Sequence, residues 1–139
     1  MTRIKYDIVL IKCISLFETL TQAKVKDCFI DDRGILTFIV SEHEIGKAIG
    51  RGGEMVRRLE RSLNRKIKIV EFNPDLLQFV RNLIYPLQAR HIEQVDSVVQ
   101  IEPKDMITRG HLIGRAAVNL RNYVKITKRM FPIEEIKIV

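Results

Sequence analysis

The sequence predicts an α+β fold made of two tandem units, 1–72 and 73–139, each a three-stranded sheet packed with helices. An internal repeat is the first observation behind this. "GKAIGRGGEMVRRLER" and "GHLIGRAAVNLRNYVK" align Gly46 with Gly110, Ile49 with Ile113, Gly50 with Gly114, Arg51 with Arg115, Arg57 with Arg121 and Arg61 with Lys125, at a constant offset of 64 residues. A repeat of only two copies means two small domains and not a solenoid. The second observation is that each copy closes in a β-rich run, "KIKIV" in the first and "EIKIV" in the second. The third is that the apolar periodicity switches between helical and extended spacing within each copy.

Taken in order, Tyr6 to Leu20 is expected to be helical, because Leu10, Ile14 and Phe17 recur at i, i+4 and i+7. "KVKDCFI" and "ILTFIV" are β-rich and flank the turn signal "DDRG", which predicts a hairpin. Ser41 with Glu44 three residues later has the pattern of a capping box, opening a short helix that Gly50 ends. Beyond the glycines, Met55 or Val56 with Leu59 and Leu63 forms an apolar stripe, and Arg57, Arg58, Arg61 and Arg65 fall opposite it. "KIKIV" completes the unit as a strand. "FNPD" is the joint, since Pro74 disfavours a continuing strand and suits a helix start. The second unit repeats the order: a helix over Asp75 to Ile84, strands within Arg90 to Glu102, a short helix over Lys104 to Ile113, a basic helix over Ala116 to Met130 and a final strand.

Composition narrows the function classes. The net charge of +7 is concentrated: Lys47 to Lys68 carries +6, Arg109 to Arg129 carries +6, and the remainder is acidic. Two concentrations of positive charge predict anion-facing surfaces. No apolar run reaches the length of a bilayer span and no export signal is legible, so the expectation is a cytoplasmic protein without membrane contact. Cys13 and Cys28 lie in apolar patterns without metal-ligand spacing, so no metal is expected. No GK[ST] follows the glycines, no GxGxxG opens a βαβ unit, and His43, His91 and His111 are far apart in sequence. The pattern therefore predicts no enzyme and no cofactor, and it implies no particular oligomeric state.

The motif Ile49-Gly50-Arg51-Gly52-Gly53, between two helices and followed by basic residues, resembles the KH domain, whose Ile-Gly-x-x-Gly loop clamps the backbone of about four single-stranded nucleotides. The element order is similar to the type II, prokaryotic variant. Two such units in tandem resemble the archaeal NusA-like transcription factors, over essentially the whole chain. The resemblance implies single-stranded RNA as the ligand and RNA polymerase as a candidate partner. The bacterial relatives add a polymerase-binding domain and an OB-fold domain, for which 139 residues leave no room. The RNA-binding residues implied are Ile45, Gly46, Lys47, Ile49, Gly50, Arg51, Gly52, Gly53, Arg57 and Arg61, with Gly114, Arg115, Arg121 and Lys125 in the second copy. Bare backbone at Gly50 and Gly53 would admit a phosphate, Lys47 and Arg51 would supply charge, Arg57 and Arg61 would extend the positive track, and Ile45 and Ile49 would wall a base groove. "IGRAA" places Ala117 where the closing glycine belongs, so close phosphate approach is less favoured there. The competing readings are a KH-type protein of ribosome assembly or RNA decay, and a protein-interaction adaptor docking through the first helix.

Overall fold

In the computed structural model, which describes residues 8–139, the chain divides into two compact units, Met1–Phe72 and Asn73–Val139. Tyr6, the expected start of the first helix, lies outside the described residues. Unit 1 runs α1 (Ile8–Thr21), β1 (Val25–Ile30), β2 (Leu36–Val40), α2 (Ile45–Ile49), a 3-10 turn (Arg51–Gly53), α3 (Glu54–Leu63) and β3 (Ile67–Glu71). Unit 2 runs α4 (Leu76–Ile84), β4 (Ala89–Val95), β5 (Val98–Pro103), α5 (Met106–Ile113), a 3-10 turn (Arg115–Ala117), α6 (Val118–Met130) and β6 (Glu135–Ile138).

Each sheet has three strands with the middle one in the centre. β1 and β2 form an antiparallel hairpin, and β2 pairs in parallel with β3, Leu36 opposite Ile67 and Val40 opposite Glu71. β4, β5 and β6 repeat this, with Val98 opposite Glu135 in the parallel pair. Parallel neighbours cannot be joined by a tight turn, so β2 reaches β3 through a crossover that contains α2, the glycine loop and α3. The hairpin turn is fixed by Asp31, whose buried carboxylate accepts from the amides of Arg33 and Ile35 and pairs with the Arg33 guanidinium at 3.2 Å.

The core of unit 1 lies between the sheet and its helices. Phe17 of α1 stacks on Phe38 of β2 with ring centroids 4.2 Å apart, surrounded by Leu36, Val40, Ala48 and Leu59, all fully buried. In unit 2, Ile101, Leu112, Ile126 and Ile136 are buried, and Phe79 of α4 meets Phe131 beyond α6 at 5.5 Å.

Two helix starts differ from expectation. The capping box at Ser41 and Glu44 does not form: α2 begins at Ile45, and Glu44 occupies the cap position without a side-chain bond to the helix backbone. Its carboxylate instead accepts from the distant Lys24 amide at 3.2 Å, a tertiary contact that outcompetes the local motif, and pairs with Lys47 on α2 at 3.0 Å. Pro74 sits one residue before the helix cap. The cap is Asp75, which accepts from the Leu77 amide, as Asp105 accepts from the Thr108 amide at the start of α5. That last bond, with the Thr108 hydroxyl, holds the Asp105 carboxyl below its ordinary range.

Truncating Phe38 to alanine removes the ring that α1 stacks on. We expect a loss of about 3–5 kcal/mol in the unfolding free energy of unit 1, read by chemical denaturation.

Candidate nucleic-acid interface

The loop at 50–53 is shaped by its backbone before any side chain is considered. Gly50 ends α2 with its amide on the Gly46 carbonyl, at φ 74 and ψ 173, a conformation essentially restricted to glycine. A Cβ there would lie 2.7 Å from Cγ of Met55 and 3.0 Å from its amide nitrogen. Gly50 is therefore required by its own torsions and by Met55, and close approach of a phosphate is not what demands it. Gly52 (φ 60, ψ 24) and Gly53 (φ 76, ψ 15) follow in the left-handed region and lead into the N-terminus of the ten-residue α3. Nothing lies within 4 Å of a Cβ built on Gly52, and only the Arg57 guanidinium approaches one built on Gly53, at 3.4 Å.

The loop at 114–117 has the same path. Gly114 stands at φ 75 and ψ 173, Ala116 at φ 53 and ψ 31, and Ala117 at φ 58 and ψ 25. A Cβ on Gly114 would meet the Asn119 amide group at 2.7 Å, and that group in turn donates to the His111 carbonyl at 2.8 Å. Two consecutive alanines thus hold a left-handed conformation that costs about 1 kcal/mol or more each. The departure from the glycine motif strains the second loop without changing its shape.

The basic side chains divide by what they do. Arg51, Arg58, Arg61 and Arg65 are exposed in unit 1, and Arg115, Lys125, Lys128 and Arg129 in unit 2. Lys47 is exposed but engaged by Glu44, and this pairing holds the Glu44 carboxyl below its ordinary range. Arg57 and Arg121 turn back to bond loop carbonyls, so neither simply prolongs a positive track. Lys68, counted in the first basic window, is only partly exposed on β3. Burial, aided by Arg33 and opposed by Asp31, pushes its ammonium down to about 8.

Around the first loop the fold gathers Ile45, Gly46, Lys47 and Ile49 on α2, the four loop residues, and Arg57 and Arg61 on α3. Ile49 is 39% exposed and remains available to a ligand, whereas Ile45 packs partly against the core. Gly46 has ordinary helical torsions with open space above it, and so does its counterpart Gly110 on α5. Gly114, Arg115, Arg121 and Lys125 gather around the second loop in unit 2. The bonds from Arg57 and Arg121 to the loops were not read from the sequence, although the shared spacing of these arginines behind the two loops was its signal.

Replacing Ala116 and Ala117 together by glycine removes left-handed strain, partly offset by the greater freedom of glycine in the unfolded chain. The variant should gain about 1 kcal/mol in the unfolding of unit 2, measured by urea titration.

Comparison with known proteins places this geometry. The KH domain family model matches residues 13–128. A protein of Methanococcus vannielii named "Probable transcription termination protein NusA" is 36% identical over 141 aligned residues, covering 99% of this chain and 80% of its own. A Methanocaldococcus jannaschii protein of the same name is 33% identical, covering 91% of this chain and 70% of its own. The crystal structure of APE1850 superposes with a TM-score of 0.76 at 27% identity, over 96% of this chain and 100% of that one. With its family match spanning most of the residues and its NusA relatives aligned over more than nine-tenths of it, the chain belongs to the KH domain family, in the group represented by the archaeal NusA proteins.

Proposed function

We propose that the protein binds single-stranded RNA as a NusA-type factor of transcription elongation and termination, through two tandem type II KH units. In unit 1, RNA lies along the loop at 50–53, its phosphates meeting the bare backbone at Gly52 and Gly53 and the charge of Arg51. The observation that carries this reading is the open space at Gly46 and Gly52. Neither position has a neighbour that a methyl group would strike, and glycine at Gly46 weakens a helix that alanine would strengthen. Gly52 is also suited by its left-handed torsions, but Gly46, helical and with open space, has no internal purpose and is explained by something external that comes close. Phosphate fits because the loop leads into a helix N-terminus flanked by arginines, and exposed Ile49 offers an apolar surface to a base. The involvement in transcription rests on the names of the relatives, and RNA polymerase follows from them as the protein partner to be sought.

The test is binding of a fluorescent single-stranded RNA followed by anisotropy. Raising salt from about 50 to 200 mM should weaken binding at least about tenfold if several phosphates are neutralised. Replacing Arg51 and Gly52 together by aspartate puts carboxylates on the phosphate path and should weaken binding at least about tenfold, on the order of 1.4 kcal/mol. Unchanged affinity in a variant that keeps its circular dichroism spectrum would remove the loop from the interface.

Gly46→Ala separates folding from binding. The variant should be more stable by about 1 kcal/mol, from helix propensity. It should also bind RNA about fivefold more weakly, on the order of 1 kcal/mol, because the methyl group occupies the approach. Calorimetry and the same anisotropy titration give the two signs.

A further inference from the structure

Each loop is followed by an arginine, five residues beyond the loop carbonyl it reaches. Arg57 Nη1 donates to the Gly52 carbonyl at 2.7 Å, and Arg121 Nη1 donates to the Ala116 carbonyl. The same peptide groups are held from their other side. The Gly53 amide donates to the Gly50 carbonyl at 3.2 Å, and the Ala117 amide donates to the Gly114 carbonyl at 3.2 Å. One peptide plane in each loop, 52–53 and 116–117, is thus clamped at both its oxygen and its N–H.

Ordering a long exposed arginine is entropically unfavourable, so the recurrence of this contact calls for a purpose. Loop composition does not supply it, since the clamped peptide joins two glycines in one unit and two alanines in the other. What the contact controls is the direction of a carbonyl. A peptide between two glycines rotates easily because both torsions beside it are permissive. A flip between two left-handed alanines would relieve φ of Ala117 but leave Ala116 at positive φ with its ψ reversed, a region almost confined to glycine, so Ala116 itself helps Arg121 to hold the second loop. In either case a flip would move a carbonyl oxygen, with its partial negative charge, away from the arginine and toward the open side of the loop.

We propose that Arg57 and Arg121 are positioning residues that lock these peptides against flipping, keeping a carbonyl oxygen out of the path of an approaching phosphate. Their contribution to RNA binding is made through the loop. The locking is independent of any ligand; its consequence for RNA rests on the reading given above.

The experiment uses the full chain and Arg57→Ala, with Arg58→Ala as a control on the same exposed helix. Without RNA, amide hydrogen exchange at Gly53 should accelerate about tenfold in Arg57→Ala and remain unchanged in Arg58→Ala. Arg121→Ala should accelerate the Ala117 amide in the same direction but less, because Ala116 also resists the flip. In anisotropy titrations across salt, Arg57→Ala should weaken RNA binding several-fold with no change in the slope of log affinity against log salt. Unchanged protection at Gly53 overturns the proposal. So does a slope reduced by about 0.7, the mark of one lost phosphate contact on a single strand. Faster exchange with unaltered RNA affinity would leave the lock in place and remove the RNA reading of the loop.

Discussion

The structure depends on a helix ending in one residue and the next helix being re-aimed within three more. In both units this is done by a glycine at φ near 75 and ψ 173, pressed against the residue five positions on, Met55 in one case and Asn119 in the other. No side chain fits there, so the glycine is a condition of the fold. The crossover between parallel strands, the position of the basic helix and the exposure of the loop all follow from that junction. Two residues on, at Gly52, open space replaces tight contact.

Much of this was legible in the sequence. The alternation of helix and strand in the first unit came from apolar spacing, as with Leu10, Ile14 and Phe17, because those residues face a core. The glycine loop stood out because its chemistry is local. What escaped was decided by contacts distant in the chain. Ser41 and Glu44 have the spacing of a capping box, but Glu44 is taken by the Lys24 amide twenty residues earlier. Glycine at position 50 was expected for the approach of a ligand, and the fold adds a second reason for it in its own torsions and in Met55. Pattern alone cannot separate a glycine that makes room for the protein from one that makes room for something else.

The distribution of charge shows a similar limit. The first basic window counts Lys47, Arg57 and Lys68 equally with Arg51 and Arg61. In the fold, Lys47 answers Glu44, Arg57 answers a carbonyl and Lys68 is half-withdrawn into the sheet edge. The charge freely presented to a polyanion is smaller than the sum of residues, and it is focused near the loop by Arg51 and along α3 by Arg58, Arg61 and Arg65.

The two left-handed alanines of the second loop have a consequence for how such proteins change over time. Alanine and glycine codons differ by a single base, and the backbone around Ala116 and Ala117 already has the form that glycine would take. Substitution in either direction therefore needs no refolding and no compensating change elsewhere. A lineage can lose or regain a full glycine motif in this unit by point mutation, with selection acting on a small change in stability and on what the loop touches.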